Sequence, residues 1–393
     1  MNSENMITLL KGGDVHSPSP LGKRDVLIMG SKIAAVSAPG EIHISGIPVS
    51  EEDVSDKLVI PGFIDSHVHI LGGGGEGGPA TRAPEIKIES ILASGVTTLI
   101  GCLGTDGTTR HMESLLAKAK GLEIEGVTTY IFTGSYQIPV VTITGSVRSD
   151  IMMIEKVIGA GEIAISDHRS SQPTFAEFIR LVSECRVGGM LGQKAGVLHC
   201  HVGDGRRKLD FLFKMITETE IPVTQVIPTH INRNQELLDD GIQFTLKGGY
   251  IDLTAGMDPA SEEGHISIAR SLELCQEKSA PLDRITVSSD GNGSMPVFDD
   301  KGRLIGLTIA TQKSLWANFQ FLLNQKVLDL EGCIRLFSTT PAAFYKLKQK
   351  GEIKPGLDAD ILLLDKNFKL HSSFAMGKKT MGKGKLLVQS TFS

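Results

Sequence analysis

From residue 58 onward, short β-branched or apolar runs alternate with longer segments of helical spacing. This alternation restricts the fold more than any other feature of the chain. The strand candidates are 58–65, 96–100, 127–133, 162–166, 196–201, 225–230, 249–253 and 285–290. Helical segments lie between them, for example 109–120, 174–187, 206–219, 233–240 and 262–278. Phe178, Leu181 and Cys185 show the three-to-four spacing of a buried helix face. Strands linked by helices pair in parallel, because a parallel pair needs a long crossover. Eight such units predict an α/β fold, a (β/α)8 TIM barrel. The alternative is a doubly wound open sheet, which wants a glycine fingerprint after its first strand. Gly72-Gly73-Gly74-Gly75 does follow that strand, but the histidines just before it would then have no purpose.

The two ends read differently. Short strands at 7–10, 25–29 and 33–36 are separated by Gly and Pro clusters, with no helical segment among them. Past the helical region, where Thr340-Pro341-Ala342-Ala343 reads as a helix cap, strands return at 361–364 and 386–388. The prediction is a small β-sandwich domain built from both ends, 1–57 and 350–393, beside a barrel spanning 58–349.

Composition excludes several function classes. A net charge of −5 on 393 residues offers no nucleic-acid or membrane surface. Five scattered cysteines (Cys102, Cys185, Cys200, Cys275, Cys333), never in a CxxC pair, argue against a disulfide framework and for a reducing compartment. The polar N-terminus lacks a signal-peptide core, and no apolar run approaches the roughly 18 residues of a membrane helix. The expected location is cytoplasmic.

Barrel enzymes carry their chemistry at the C-terminal ends of strands. Those ends supply His67 and His69 on the first strand, Glu162 on the fourth, His201 on the fifth, His230 on the sixth and Asp290 on the eighth. Residues i and i+2 of a strand share a side, so His67 and His69 can face one ion. Singly, each has a bland alternative: a hydrogen-bonded structural histidine or a solvated carboxylate. Jointly they form a metal-ligand set. Imidazoles and carboxylates without thiolate suit Zn²⁺, with Mn²⁺ or Co²⁺ as alternatives. His199 shares the period-two face of His201, so spacing leaves open which of them ligates. His168 is read as structural, and His16, His43, His111, His265 and His371 have no companions.

The order His-x-His, carboxylate, His, His, Asp resembles the amidohydrolase superfamily. Longer blocks narrow the resemblance: Gly72-Gly73-Gly74-Gly75-Glu76-Gly77-Gly78-Pro79, Gly104-Thr105-Asp106-Gly107, Thr133-Gly134-Ser135-Tyr136, Ser166-Asp167-His168-Arg169-Ser170, Pro228-Thr229-His230-Ile231-Asn232-Arg233 and Ser288-Ser289-Asp290-Gly291-Asn292-Gly293-Ser294. Together they are similar to isoaspartyl (β-aspartyl) dipeptidases over almost the whole chain. One position departs. The best-known members carry a carboxylated lysine on the fourth strand, bridging two metals, and this chain has Glu162 there. Glutamate supplies the same carboxylate on a shorter stem, so Glu162 is expected to bridge two ions. A single ion on His67, His69 and Asp290 is the alternative.

The resemblance implies hydrolysis of β-aspartyl dipeptides by a metal-activated hydroxide, with Asp290 as general base and acid and Tyr136 as oxyanion donor. It favours His201 over His199. It implies substrate contacts from Glu76 to the ammonium, from Arg169 and Arg233 to the carboxylates, and from Thr105, Ser294 and the Gly74 and Gly75 backbone. It also implies a homo-oligomer, with octamers known in the family. Two other functions compete: a cyclic-amide hydrolase of dihydroorotase or hydantoinase type, and a non-catalytic scaffold. The Glu76, Tyr136, Arg169 and Arg233 set argues against the first, and the retained ligands against the second.

Overall fold

The computed structural model describes residues 7–298 and 304–392. Eight parallel strands form the predicted barrel: β1 Phe63–Val68, β2 Val96–Gly101, β3 Thr128–Thr133, β4 Val157–Ile165, β5 Val197–Val202, β6 Val226–Thr229, β7 Ile251–Thr254 and β8 Ile285–Ser288. Strands β1 to β6 form one continuous ladder and β7 pairs with β8. The two remaining seams are closed by polar groups. At β8/β1, Val68 bridges Gly291, and Asp65 accepts from Ser289 N–H (3.1 Å) and Ser289 Oγ (2.5 Å). At β6/β7, Thr229 Oγ1 donates to Asp252 (2.7 Å) and His230 Nδ1 meets Thr254 Oγ1 (2.7 Å). Closure of the ring rules out the doubly wound sheet. No helix among the described residues is long and apolar enough to cross a membrane.

The apolar run 58–65 is two strands rather than one. Leu58–Pro61 pairs antiparallel with Ile361–Leu364 in a nine-stranded sheet drawn from both chain ends. The chain changes layer at Gly62, whose N–H bonds to Asp360 O (2.9 Å) while that of Phe63 bonds to Gly95 O (3.0 Å) in the barrel. We therefore propose the division between β layer and barrel at Gly62 instead of 57/58. An apolar run buried in both layers carries no periodicity to mark the switch. The β layer also holds strands Leu370–Ala375 and Lys378–Gly382, which short polar sequences concealed. Thr340-Pro341 does not start a helix; it continues the turns of Arg335–Thr339 without a break. A hairpin, Ser294–Phe298 with Leu304–Ile309, follows β8 and was not foreseen.

Lys350 ties the β layer to the barrel. Its Nζ, on a side chain only 2 % exposed, reaches Thr128 Oγ1 on β3 (2.6 Å), Asp360 (2.6 Å) and Asp358 (2.9 Å). Lys350→Met leaves the buried Asp360 without a counter-charge and Asp358 with Lys32 alone (2.6 Å). The expected cost is about 3–5 kcal/mol, read by denaturant unfolding. A loss below about 1 kcal/mol, the range of an exposed ion pair, would contradict this role.

Candidate active site

Backbone conformation brings the ligand-type residues to one mouth. His69 follows β1 directly. His230 and Asp290 follow β6 and β8 in the left-handed region (φ 62° and 50°), uncommon for residues with a Cβ and frequent where a side chain is turned into a site. Glu162 does not sit at its strand's end, as the sequence suggested; β4 begins at Val157 and runs three residues beyond it. Between the pairs Leu198–Ala160 and Cys200–Ile163, β4 contains one extra residue, a bulge that aims Glu162 inward. Gly161 is needed there, since a Cβ would stand 2.8 Å from His199 Cβ.

Glu162, 1 % exposed, is the centre of the cluster. Its Oε2 lies 3.0 Å from His67 Nε2, 3.3 Å from His201 Nδ1 and 3.7 Å from His230 Nε2, and its Oε1 lies 3.4 Å from His69 Nε2. Asp290 Oδ1 stands 3.0 Å from His69 Nε2 and 3.7 Å from His67 Nε2. Yet His67 Nε2, Glu162 Oε2 and Asp290 Oδ1 are buried without a hydrogen bond of proper geometry. Buried polar atoms are nearly always satisfied. Close approach without bonding is the arrangement of ligand atoms aimed at a shared cation, so the donor set fits a divalent ion.

The charges agree. Burial disfavours ionised Glu162, but the charge on His67 and the imidazoles of His201 and His230 hold its carboxyl well below the ordinary range. Asp290 is held low against burial by His67 and His69. Burial works against protonating His67 and His69 too, but the carboxylates and Cys102 raise both well above the ordinary imidazole value. Burial takes His230 down to about 3 despite Glu162. Positive charge on His67 and His69 thus balances the carboxylates of Glu162 and Asp290, and a divalent cation would replace those protons.

The structure brings His67, His69, Glu162, His201, His230 and Asp290 together. It separates His199, whose ring stacks on Phe132 at 5.0 Å and whose Nδ1 meets Tyr345 OH at 3.2 Å. His168 is exposed. Tyr136, buried, places its hydroxyl 2.9 Å from His201 Nδ1. Above the cluster, Glu76 accepts from Thr105 Oγ1 (2.8 Å) and lies 3.4 Å from Arg169 Nη1. Gly74 packs against Ser294, where a Cβ would stand 3.4 Å from that of Ser294. Gly75 follows in the same loop, its N–H on Thr81 O (3.2 Å). Arg233 stays at the rim, its Nε on Val202 O (3.1 Å) and Nη1 3.6 Å from Asp204.

Two residues were missed by sequence reasoning. Asp167 takes Arg169 Nε (3.0 Å) and Nη2 (2.8 Å) and also His201 Nε2 (2.9 Å). It fixes which nitrogen His201 turns to the cluster and orients Arg169. Only its place two residues past β4, inside the Arg169 block, could have signalled it. Cys102 Sγ lies 3.9 Å from His69 Nδ1, and His67, His69, Cys102 and Glu162 each offer an atom within 4.8 Å of the others, so the thiol belongs to the cluster's surroundings. A lone cysteine carried no signal in the sequence.

Residues 223–387 match the profile of the amidohydrolase family. The chain is 44 % identical to a β-aspartyl dipeptidase from the thermophilic, keratin-degrading Fervidobacterium islandicum AW-1, solved in complex with the dipeptide β-Asp-Leu. That match covers 99 % of both chains with a TM-score of 0.92. A second structure of the β-aspartyl dipeptidase from that organism is 42 % identical over 98 % of this chain and 100 % of the other, with a TM-score of 0.90. The dihydroorotase of Lactobacillus gasseri is 24 % identical over 408 residues, covering 92 % of this chain and 89 % of that protein. With such identity over the full length, the chain belongs to the β-aspartyl dipeptidases of the amidohydrolase superfamily.

Proposed function

We propose that the protein hydrolyses the isopeptide bond of β-aspartyl dipeptides. What supports this is the order of charge running outward from the cluster: buried Glu162 and half-buried Asp290, then Arg169, then Glu76, 3.4 Å from Arg169. A β-aspartyl dipeptide carries an α-ammonium and two carboxylates, and this sequence of charges complements it.

His67, His69 and Asp290 would hold one divalent ion, and His201 and His230 a second, with Glu162 between them. When bound, Zn²⁺ (or Mn²⁺ or Co²⁺) supplies a Lewis acid and lowers the pKa of water from about 15.7 towards 7. Asp290 accepts the proton of the attacking water and returns it to the leaving amine. Tyr136 donates a hydrogen bond to the oxyanion that forms at the scissile carbonyl. Burial and the charge of Glu162 push its phenol well above the ordinary value, so it stays a donor. Arg169 and Arg233 bind substrate carboxylates, and Glu76, held by Thr105, binds the ammonium. Arg169 must exchange its contact with Glu76 for one with substrate, while Asp167 keeps its other edge in place.

Tyr136→Phe removes one oxyanion donor from a buried site. The expected loss in kcat is about 10²- to 10³-fold, with KM little changed, in steady-state assays on β-Asp-Leu. A change confined to KM would contradict the assigned role. Substrate class is tested by offering β-Asp-Leu, α-Asp-Leu, dihydroorotate and a hydantoin to metal-replete protein. Selective cleavage of β-Asp-Leu is expected, and ring opening alone would replace this proposal with the cyclic-amide reading.

A further inference from the structure

Arg110 is a buried cation that the proposed chemistry leaves unused. It lies between β2 and the helix Met112–Glu125 and is 5 % exposed. Its Nε donates to Leu71 O (3.2 Å), Nη1 to Gly74 O (3.4 Å), and Nη2 to Gly73 O (3.1 Å) and Ala83 O (3.1 Å). Nη1 also meets Asp106 Oδ2 (3.3 Å), and Asp106 is fixed in turn by the N–H groups of Thr108 (3.1 Å) and Thr109 (2.8 Å). Four carbonyls from both limbs of one loop converge on a single planar fork, a pattern that a lysine cannot reproduce.

The loop needs such an anchor. Gly72, Gly74 and Gly75 have φ of 84°, 76° and 106°, and glycine backbone explores many conformations when nothing holds it. Backbone bonds hold it at other points, Gly72 N–H to His69 O (2.7 Å), Gly73 N–H to Asn292 O (2.8 Å), Gly75 N–H to Thr81 O (3.2 Å), Gly78 N–H to Gly75 O (3.0 Å) and Ala83 N–H to Gly73 O (3.0 Å), but none of them engages the N–H or C=O of Gly74. In a planar trans peptide the C=O and N–H point opposite ways. With Gly73 O drawn to Arg110, the N–H of Gly74 faces the other side, where it meets no acceptor among the described residues. Two residues later comes Glu76, beside Thr105 and Arg169.

We propose that Arg110 is a positioning residue for substrate selection. It locks the glycine loop so that the Gly74 N–H faces the α-carboxylate of the aspartyl group and Glu76 faces its α-ammonium. The assignment rests on the β-aspartyl substrate proposed above. A substrate lacking only the α-amino group, N-succinyl-leucine, isolates the effect.

The test compares kcat/KM for β-Asp-Leu and N-succinyl-leucine in the wild type, Arg110→Lys and Arg110→Met, with bound metal counted in each. The wild type should prefer β-Asp-Leu. Arg110→Met should lower that preference by about 10- to 100-fold, the loss of one charge-assisted contact, mainly through KM and with unchanged metal content. Arg110→Lys should fall between. Equal losses on both substrates would make Arg110 a purely structural residue and overturn the proposal. Hydrogen exchange on the wild type needs no variant to fold. The Gly73 and Gly75 amides should be as protected as that of Ala83, and rapid exchange at both would also overturn it. If the wild type leaves β-Asp-Leu uncleaved, the substrate proposal fails, and the exchange data still decide whether the loop is locked.

Discussion

Asp290→Asn lowers kcat on β-Asp-Leu by about 10³- to 10⁴-fold, towards the upper end for loss of a positioned general base. The left-handed turn after β8 commits Asp290 to the mouth, where its Oδ1 stands 3.0 Å from His69 Nε2. Asparagine fills the same space and keeps one oxygen. It cannot take up a proton, and it removes one of the two charges that balance the cluster. KM should change little, because Glu76, Arg169 and Arg233 bind the substrate's charges. Steady-state kinetics together with metal analysis separate the two losses: an ion content near wild type with collapsed kcat is the expected result. A variant keeping more than about a tenth of wild-type kcat, far outside the range for a lost general base, would remove Asp290 from proton transfer.

Glu162→Gln is expected to disrupt the metal centre itself. One carboxylate, 1 % exposed, faces four imidazoles at 3.0–3.7 Å. The amide keeps the shape and loses the charge that a cation between those rings requires. Wild-type protein should carry two ions per chain and the variant at most one, by elemental analysis after dialysis. Activity should fall at least about 10²-fold, since altering even an outer partner of a metal ligand costs 10- to 100-fold. Fully active wild-type protein holding one ion per chain would instead favour the single ion on His67, His69 and Asp290. The shorter stem of glutamate relative to a carboxylated lysine finds its counterpart in the bulge. One extra residue on β4, made possible by Gly161 against His199, carries the carboxylate inward.

The residues of the proposed ligand set could be picked out because barrel chemistry gathers towards strand ends and the strands announce themselves by composition. The position of Glu162 within its strand was misjudged because a bulge depends on pairing with β5, a partner 37 residues away at His199. The division proposed after Leu58–Pro61, in place of 57/58, rests on the pairing of that strand with Ile361–Leu364, about three hundred residues on. Asp167 and Arg110 were passed over for the same kind of reason. Asp167 gains its role from a distant imidazole, and Arg110 from carbonyl oxygens, which no side-chain pattern reveals.

The order of apolar runs and helical segments, with the spacing of His67, His69, Glu162, His201, His230 and Asp290, was enough to specify a barrel and its class of ligand. Periodicity and residue chemistry are local properties, written directly in the chain. The separation of His199 from the cluster, the inward aim of Glu162, the clamp of Asp167 and the grip of Arg110 on the glycine loop came only from tertiary structure. Each depends on hydrogen bonds or packing between segments remote in sequence, and on the direction in which a peptide plane or an imidazole ring is turned. Those directions are decided by closure of the barrel, which sets every strand end against its neighbours.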